Sequence, residues 1–247
     1  MDVTPQQLRG AAIVGLGITE TGKVYGRSAA EFAADAVRLA VADAGLTLDD
    51  VDGLLVSGGL SGGVDIRMAR QLGLHDLGLL SQISQAGSTA GAQVQLAALA
   101  IAGGLATTVA IVHADAPLKP AARSGDAYRR PPGSVATGFS GLAAVAGPRN
   151  PNSGYALAAQ RHMNRFGTTS EQLGAIAVGQ RAWATKNPLA RFRDPITLAD
   201  HQASRWVARP LHLLDCCMVS NGGIAMARGP AIAAPDTRPQ SEPRSSR

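Results

Sequence analysis

The sequence predicts an α/β protein in which a mainly parallel sheet is layered with helices. Three observations lead there. Short apolar runs alternate with segments of helical period, the pattern of successive βα units. The interior has to be filled by small side chains: 45% of the chain is hydrophobic but only 4% is aromatic, which suits helices lying close on a sheet. No charged residue falls between Leu77 and Ala114, so the helix in that stretch is apolar on all sides and has to be covered on all sides. It is expected between two sheets and not on an outer face.

The elements follow in order. Ala11 to Gly17 (AAIVGLG) is an apolar run ending in glycines, as a buried strand would be. Ser28, with Glu31 three residues on, forms a capping-box signature. Phe32, Ala36, Leu39 and Ala40 then recur at helical spacing until Gly45. Gly53–Val56 reads as a second strand, followed by a Gly/Ser loop through Gly63 and a helix from Val64 to Leu72. Leu79–Ile83 reads as a third strand, Ser88 to about Ala102 as the charge-free helix, and Thr107–Val112 as a fourth strand.

From Ala114 to Asn152 prolines punctuate the chain, and a loop this long in a globular protein is usually a lid or binding surface. Two helices, Tyr155–Phe166 and Ser170 to about Lys186, come next. Pro210–Asp215 is a strand entry and Asn221–Ala227 a turn and strand. After Arg228 the prolines, serines and arginines cannot continue either pattern, and a disordered tail is expected.

Composition excludes several classes. At 247 residues the chain can bury a sizeable core. The formal charge is +5, but four Arg against Asp236 and Glu242 put +2 of it between Arg228 and Arg247. No basic helix with interleaved aromatics appears, so no nucleic-acid partner is expected. The two cysteines, Cys216 and Cys217, are adjacent, a spacing that rarely reaches disulfide geometry. With no signal-peptide layout at the N-terminus, a cytoplasmic location is expected. Gln82, Gln85, Gln93 and Gln95 interrupt the charge-free stretch, so no membrane span is expected there.

Four constellations bear on chemistry. Gly15-x-Gly17 lacks the third glycine of a dinucleotide fingerprint, where Glu20 stands. The five histidines show no metal-ligand spacing, so no metal site is expected. His113, at the end of a strand, reads either as a hydrogen-bonded core histidine or as a residue beside an internal cavity. Cys216 and Cys217 read as small buried residues or as a nucleophile without an obvious base. The segment Gln85–Gly91 (QAGSTAG) is the most suggestive, because it feeds the amino end of the charge-free helix. Free backbone N–H groups and the helix dipole there favour a carbonyl oxygen that develops negative charge. Ser88 is either part of that site or simply an N-cap.

Taken together, AAIVGLGIT (11–19), ADAGLTLDDVDGLL (42–55), the helix and strand after Gly87, YALAAQRHMNRFGTT (155–169) and SRWVARPLHLLDCCMVSNGGIAMA (204–227) resemble the thiolase superfamily. The last two are similar to sterol-carrier-type and acetyl-CoA acetyltransferase-like members. The resemblance implies two βαβαβ halves stacked as five layers, α-β-α-β-α, acting on acyl-CoA thioesters, usually as dimers. Here 1–113 would be the first half, 114–210 a loop and helical insertion covering the site, 211–227 the start of the second half and 228–247 a tail. The chain thus resembles a C-terminally shortened copy lacking much of the family's acid–base machinery, and an inactive chain is one of the expectations that follow.

The thiolase nucleophile, a cysteine at the amino end of the buried helix, falls by count at Gly87 or Ser88, neither of which carries sulfur. That departure is similar to the cysteine-less steroid-side-chain aldolases, which cleave β-hydroxyacyl-CoA without covalent catalysis and work with small OB-fold partners. The resemblance implies an acyl-CoA substrate, no separate cofactor, a homodimer and an OB-fold partner. Gly87 and Ser88 would stand at the reaction centre, His113 nearby, and Arg123, Arg129 or Arg130 near the CoA phosphates unless they are merely solvated. The alternative is a non-catalytic thiolase-fold partner that binds lipid-CoA.

Overall fold

The structure is a computed structural model that describes residues 11–128, 135, 137–147 and 150–230. Arg129, Arg130 and the tail from 231 onward lie outside the described residues. Among the described residues the chain forms two compact units: 11–20, 24–117 and 221–230 make the first, and 21–23 with the described part of 118–220 the second.

In the first unit β1 (Ala11–Ile18), α1 (Ala29–Asp43), β2 (Gly53–Gly58), α2 (Met68–Leu72), β3 (Leu79–Gln82), α3 (Thr89–Ala102) and β4 (Val109–Asp115) follow in sequence, and β7 (Gly222–Pro230) returns to join them. One five-stranded sheet results, in the order β1-β7-β4-β2-β3. β2, β3 and β4 are parallel, as βα alternation predicts, whereas β7 runs antiparallel to both β1 and β4. The sheet is therefore mixed and not mainly parallel. β7 follows the long, mostly helical second unit and not a single βαβ crossover, so nothing obliges it to be parallel.

Side chains alternate across the sheet. Leu54, Val56, Ala110, Val112 and Ala225 pack under α1 and α2 with Phe32, Ala36 and Val37. Leu55, Val109 and Ile111 face the other way, onto Ala97 of α3 and Ala106. Helix α1 starts as its capping box requires: Ser28 Oγ accepts the Glu31 amide at 3.2 Å, and the Glu31 carboxylate accepts the Ser28 amide at 2.7 Å. The Ser28 amide and the Ser28 hydroxyl both donate to that carboxylate, at 2.7 Å each, and hold the Glu31 carboxyl below its ordinary range.

Gly15 and Gly17 have a packing role. A Cβ on Gly15 would lie 2.0 Å from the Ala40 carbonyl oxygen, and one on Gly17 2.0 Å from that of Ala36. They allow β1 to rest directly on the α1 backbone, which accounts for the glycine pair without a dinucleotide.

Helix α3 departs from expectation. Gln93, Ala97, Ala98 and Ala100 are buried, but Gly91, Gln95 and Leu99 are exposed, Leu99 at 48%. Among the described residues the first unit offers one sheet for α3 to pack on, so the helix is covered on one side there.

The second unit is mostly helical: α4 (Gly138–Val145), α5 (Pro151–Phe166), α6 (Ser170–Ala184) and α7 (Leu198–Ala203), with the small antiparallel pair β5 (Trp206–Ala208) and β6 (Leu211–His212). The proline-punctuated stretch thus contains a short helix, α4. His201 and His212 are buried, and Asp215 ties them together: its Oδ1 lies 2.7 Å from His201 Nε2 and its Oδ2 accepts the His212 amide at 2.7 Å.

Candidate functional site

In open α/β sheets ligands bind beyond the carboxyl ends of the parallel strands. That edge of the first unit gathers the suggestive residues. After β3 the chain makes a 3-10 turn, Ala86–Ser88, and enters α3. Ala86 takes a left-handed φ of 48°, uncommon for a residue with a Cβ, and this turns the chain sharply into the helix. Side chains fasten the turn: Ser88 Oγ donates to the Gln85 carbonyl at 2.8 Å, Thr89 Oγ1 donates to that of Ala86 at 2.8 Å, and the Gln85 amide donates to Thr89 Oγ1 at 2.8 Å. Ser88 stands at the N-cap position without a side-chain capping bond; its hydroxyl points back into the turn.

Gly87 and Ser88 are both exposed, and a Cβ on Gly87 would meet nothing within 4 Å. The turn is an open shelf at the amino end of α3. The first amides of a helix have no intrahelical acceptor, so such a shelf can present N–H groups to an oxygen.

His113 lies on β4 opposite Ser57 of β2, at the same strand ends and on the sheet face that carries α3. Its Nδ1 is 3.3 Å from Ser57 Oγ. The residue is exposed, so the core-histidine expectation is corrected: the strand has run beyond the cover of α3. Asp115, two residues on, braces the loop after β2 by accepting the amides of Leu60 at 2.7 Å and Ser61 at 2.9 Å. At the opposite edge Asp52 accepts both the Thr107 and Thr108 amides at 2.8 Å. Burial pushes the Asp52 carboxyl up, but those amides and the Thr107 hydroxyl outweigh it and hold it below the usual range.

Sequence reasoning missed Ser57 and Asp115. Ser57 is found only through the β2–β4 register, whereas Asp115, ending a strand opposite a Gly/Ser loop, had a readable signal. Arg123 belongs to the second unit, where it is exposed and its amide donates to Asp126 at 3.1 Å. Among the described residues no group of three or more His, Cys, Asp or Glu is arranged to hold a metal ion. No helix among them is long and apolar enough to cross a membrane.

The first unit defines a layered α/β protein that presents a helix amino end at the carboxyl edge of its sheet. Comparison with known proteins sharpens this. No family model matches the chain. It is 41% identical over 224 residues to the steroid side-chain-cleaving aldolase of Thermomonospora curvata, covering 87% of this chain and 56% of that one. It is 39% identical over 239 residues to the 17-hydroxy-3-oxo-4-pregnene-20-carboxyl-CoA lyase of Mycobacterium tuberculosis, covering 92% and 59%. Among solved structures the Ltp2-ChsH2(DUF35) aldolase matches with a TM-score of 0.76 and 39% identity over 90% of this chain and 56% of that one. It is also 31% identical over 233 residues to the acetyl-CoA acetyltransferase of Methanothermobacter thermautotrophicus, covering 92% of this chain and 58% of that one. The chain belongs to the thiolase superfamily and spans a little over half the length of these relatives.

Proposed function

We propose that the chain serves non-covalent retro-aldol cleavage of a β-hydroxyacyl-CoA in steroid or lipid breakdown. The observation that carries this reading is the helix start without sulfur: Gly87 and Ser88 head α3, while relatives 39–41% identical are named aldolase and CoA lyase. In such a cleavage a base takes the β-hydroxyl proton, the Cα–Cβ bond breaks, and its electron pair moves onto the thioester carbonyl. The resulting enolate is protonated at Cα, leaving a ketone or aldehyde and a shorter acyl-CoA. No enzyme–acyl bond forms, so no nucleophile is needed.

This chain's part is to hold the thioester oxygen. Backbone donors at the amino end of α3 stabilise negative charge as it develops there, and the bare Cα of Gly87 lets a ligand come close. His113 lies at the same edge of the sheet. Arg123, Arg129 and Arg130 are proposed to meet the CoA phosphates. The substrate brings its own CoA, and no further cofactor is required. A homodimer, a small OB-fold partner and a cytoplasmic location complete the proposal.

A second reading, a non-catalytic thiolase-fold partner that binds lipid-CoA, is favoured by the exposure of Gly87 and Ser88. Incubation of the purified chain with a β-hydroxyacyl-CoA separates the two. Release of a carbonyl product and a shorter acyl-CoA is the expected result. Tight binding without turnover supports the second reading, and absence of any binding refutes both.

A further inference from the structure

The second unit holds a pocket of about 600 Å³ that the proposed cleavage does not use. Its walls are α6, the segment around residues 190–196 and the turn at 213–218. Most of the lining is apolar, including Phe192 and Met218, and no acidic side chain takes part. Two cations do. Arg181 is fixed in position, its Nη1 donating to the Asp194 carbonyl at 2.9 Å and its guanidinium lying 5.4 Å from the Phe192 ring centre. Arg191 has no ion pair or hydrogen bond among the described residues. An apolar hollow with two guanidinium groups and no carboxylate attracts small anions that also have an apolar body.

The same wall carries both cysteines, each with a free thiol. They are not equivalent. Burial pushes the half-buried Cys216 thiol above its ordinary range, and Asp215 and Cys217 push it further, with only Arg205 opposing. Since the thiolate is the reactive form, Cys216 is held back, while Cys217 is exposed.

We propose that Cys217 is a thiol-exchange site, loaded by a small disulfide whose carboxylates or phosphates Arg181 and Arg191 hold at the pocket. The Cys217 thiolate attacks one sulfur of that disulfide, and the old S–S bond breaks. The other half leaves as a thiolate with the electron pair, so a protein–ligand mixed disulfide forms while one free thiol is released. The small disulfide is the oxidant, and excess free thiol reverses the step. This inference stands apart from the aldolase reading, because the residues it uses have no part in that reaction.

The test incubates the full chain separately with oxidised glutathione, with the disulfide of CoA and with cationic cystamine, and follows the mass of the intact chain and of its Cys216–Cys217 peptide. Modification at Cys217 is expected, at least about fivefold faster with an anionic disulfide than with cystamine at low salt, and with that preference fading as salt rises. The faster anionic reagent tells whether carboxylate or phosphate is the preferred handle. Cys217→Ser should abolish the adduct and Cys216→Ser should keep it. Arg181→Gln combined with Arg191→Gln should remove the anionic preference, and the salt series on the native chain decides the same point if that variant does not fold. Cystamine reacting as fast as both anions, or an adduct forming at Cys216, overturns the proposal.

Discussion

Gly17→Ala is the sharpest test of how the first unit is built. The added methyl would lie 2.0 Å from the Ala36 carbonyl oxygen, 2.5 Å from the Ala40 amide nitrogen and 2.9 Å from Leu39 Cβ. All but the last are backbone atoms of a helix and cannot rotate aside. Carbon–oxygen contacts become comfortable at about 3.3 Å, so β1 and α1 must part by about 1.3 Å. Overpacking of this kind costs about 1–3 kcal/mol, and a gap near 1 Å also forfeits up to about half of each neighbouring dispersion contact. With Phe32, Ala36, Val37 and Ala40 buried along that helix, a loss of about 3 kcal/mol is expected. For a chain of this size that corresponds to a fall in Tm of about 6–12 °C. Urea and thermal unfolding followed by circular dichroism measure it. The matched control is Gly91→Ala on the exposed side of α3, where a Cβ meets nothing within 4 Å; it should keep stability or raise it by up to about 1 kcal/mol. If Gly17→Ala unfolds within about 0.5 kcal/mol of the parent, the close strand–helix contact is not real.

Two further outcomes follow from the carboxylates. The Asp52 carboxyl titrates below its unfolded range, so its contribution is present above the unfolded pKa and is lost as pH falls through the folded one. Asp52→Asn should therefore cost about 1–2 kcal/mol at neutral pH, and the gap to the parent should close in acid; a gap that does not change with pH refutes this account. Asp215→Asn removes the carboxylate shared by His201 and the His212 amide and should destabilise the second unit by about 1–3 kcal/mol. It should also lower the Cys216 thiol titration, followed by thiol alkylation against pH, because Asp215 is one of the groups raising it. An unchanged titration would remove Asp215 as a cause.

The consecutive parts of the fold were legible from sequence, and the returning part was not. β1, α1, β2, β3, α3 and β4 follow one another as apolar runs and helical periods, and the Ser28–Glu31 box marks its own helix start. β7 pairs with β4 across about a hundred intervening residues and with β1 across about two hundred, and no local pattern encodes such a partner or its direction. The Gly15/Gly17 pair was visible, but its reason, α1 carbonyls standing where side chains would otherwise be, is a tertiary fact. Of the candidate site, Gly87 and Ser88 are legible because a glycine–serine turn ahead of an apolar helix advertises a helix start. His113 was harder, since its exposure depends on where α3 stops covering β4. The pocket arginines, Arg181 and Arg191, give no motif at all, as they converge only when α6 and the following segment fold together.

The position of β7 also sets a timetable. Between β1 and β4 the sheet stays open until Gly222–Pro230 arrives to bond both, so during synthesis β1 must wait, unpaired, while the whole second unit is made. Nascent chains ending before residue 222 should thus leave an adhesive strand edge bare, a stage at which a ribosome-associated chaperone has the most to protect.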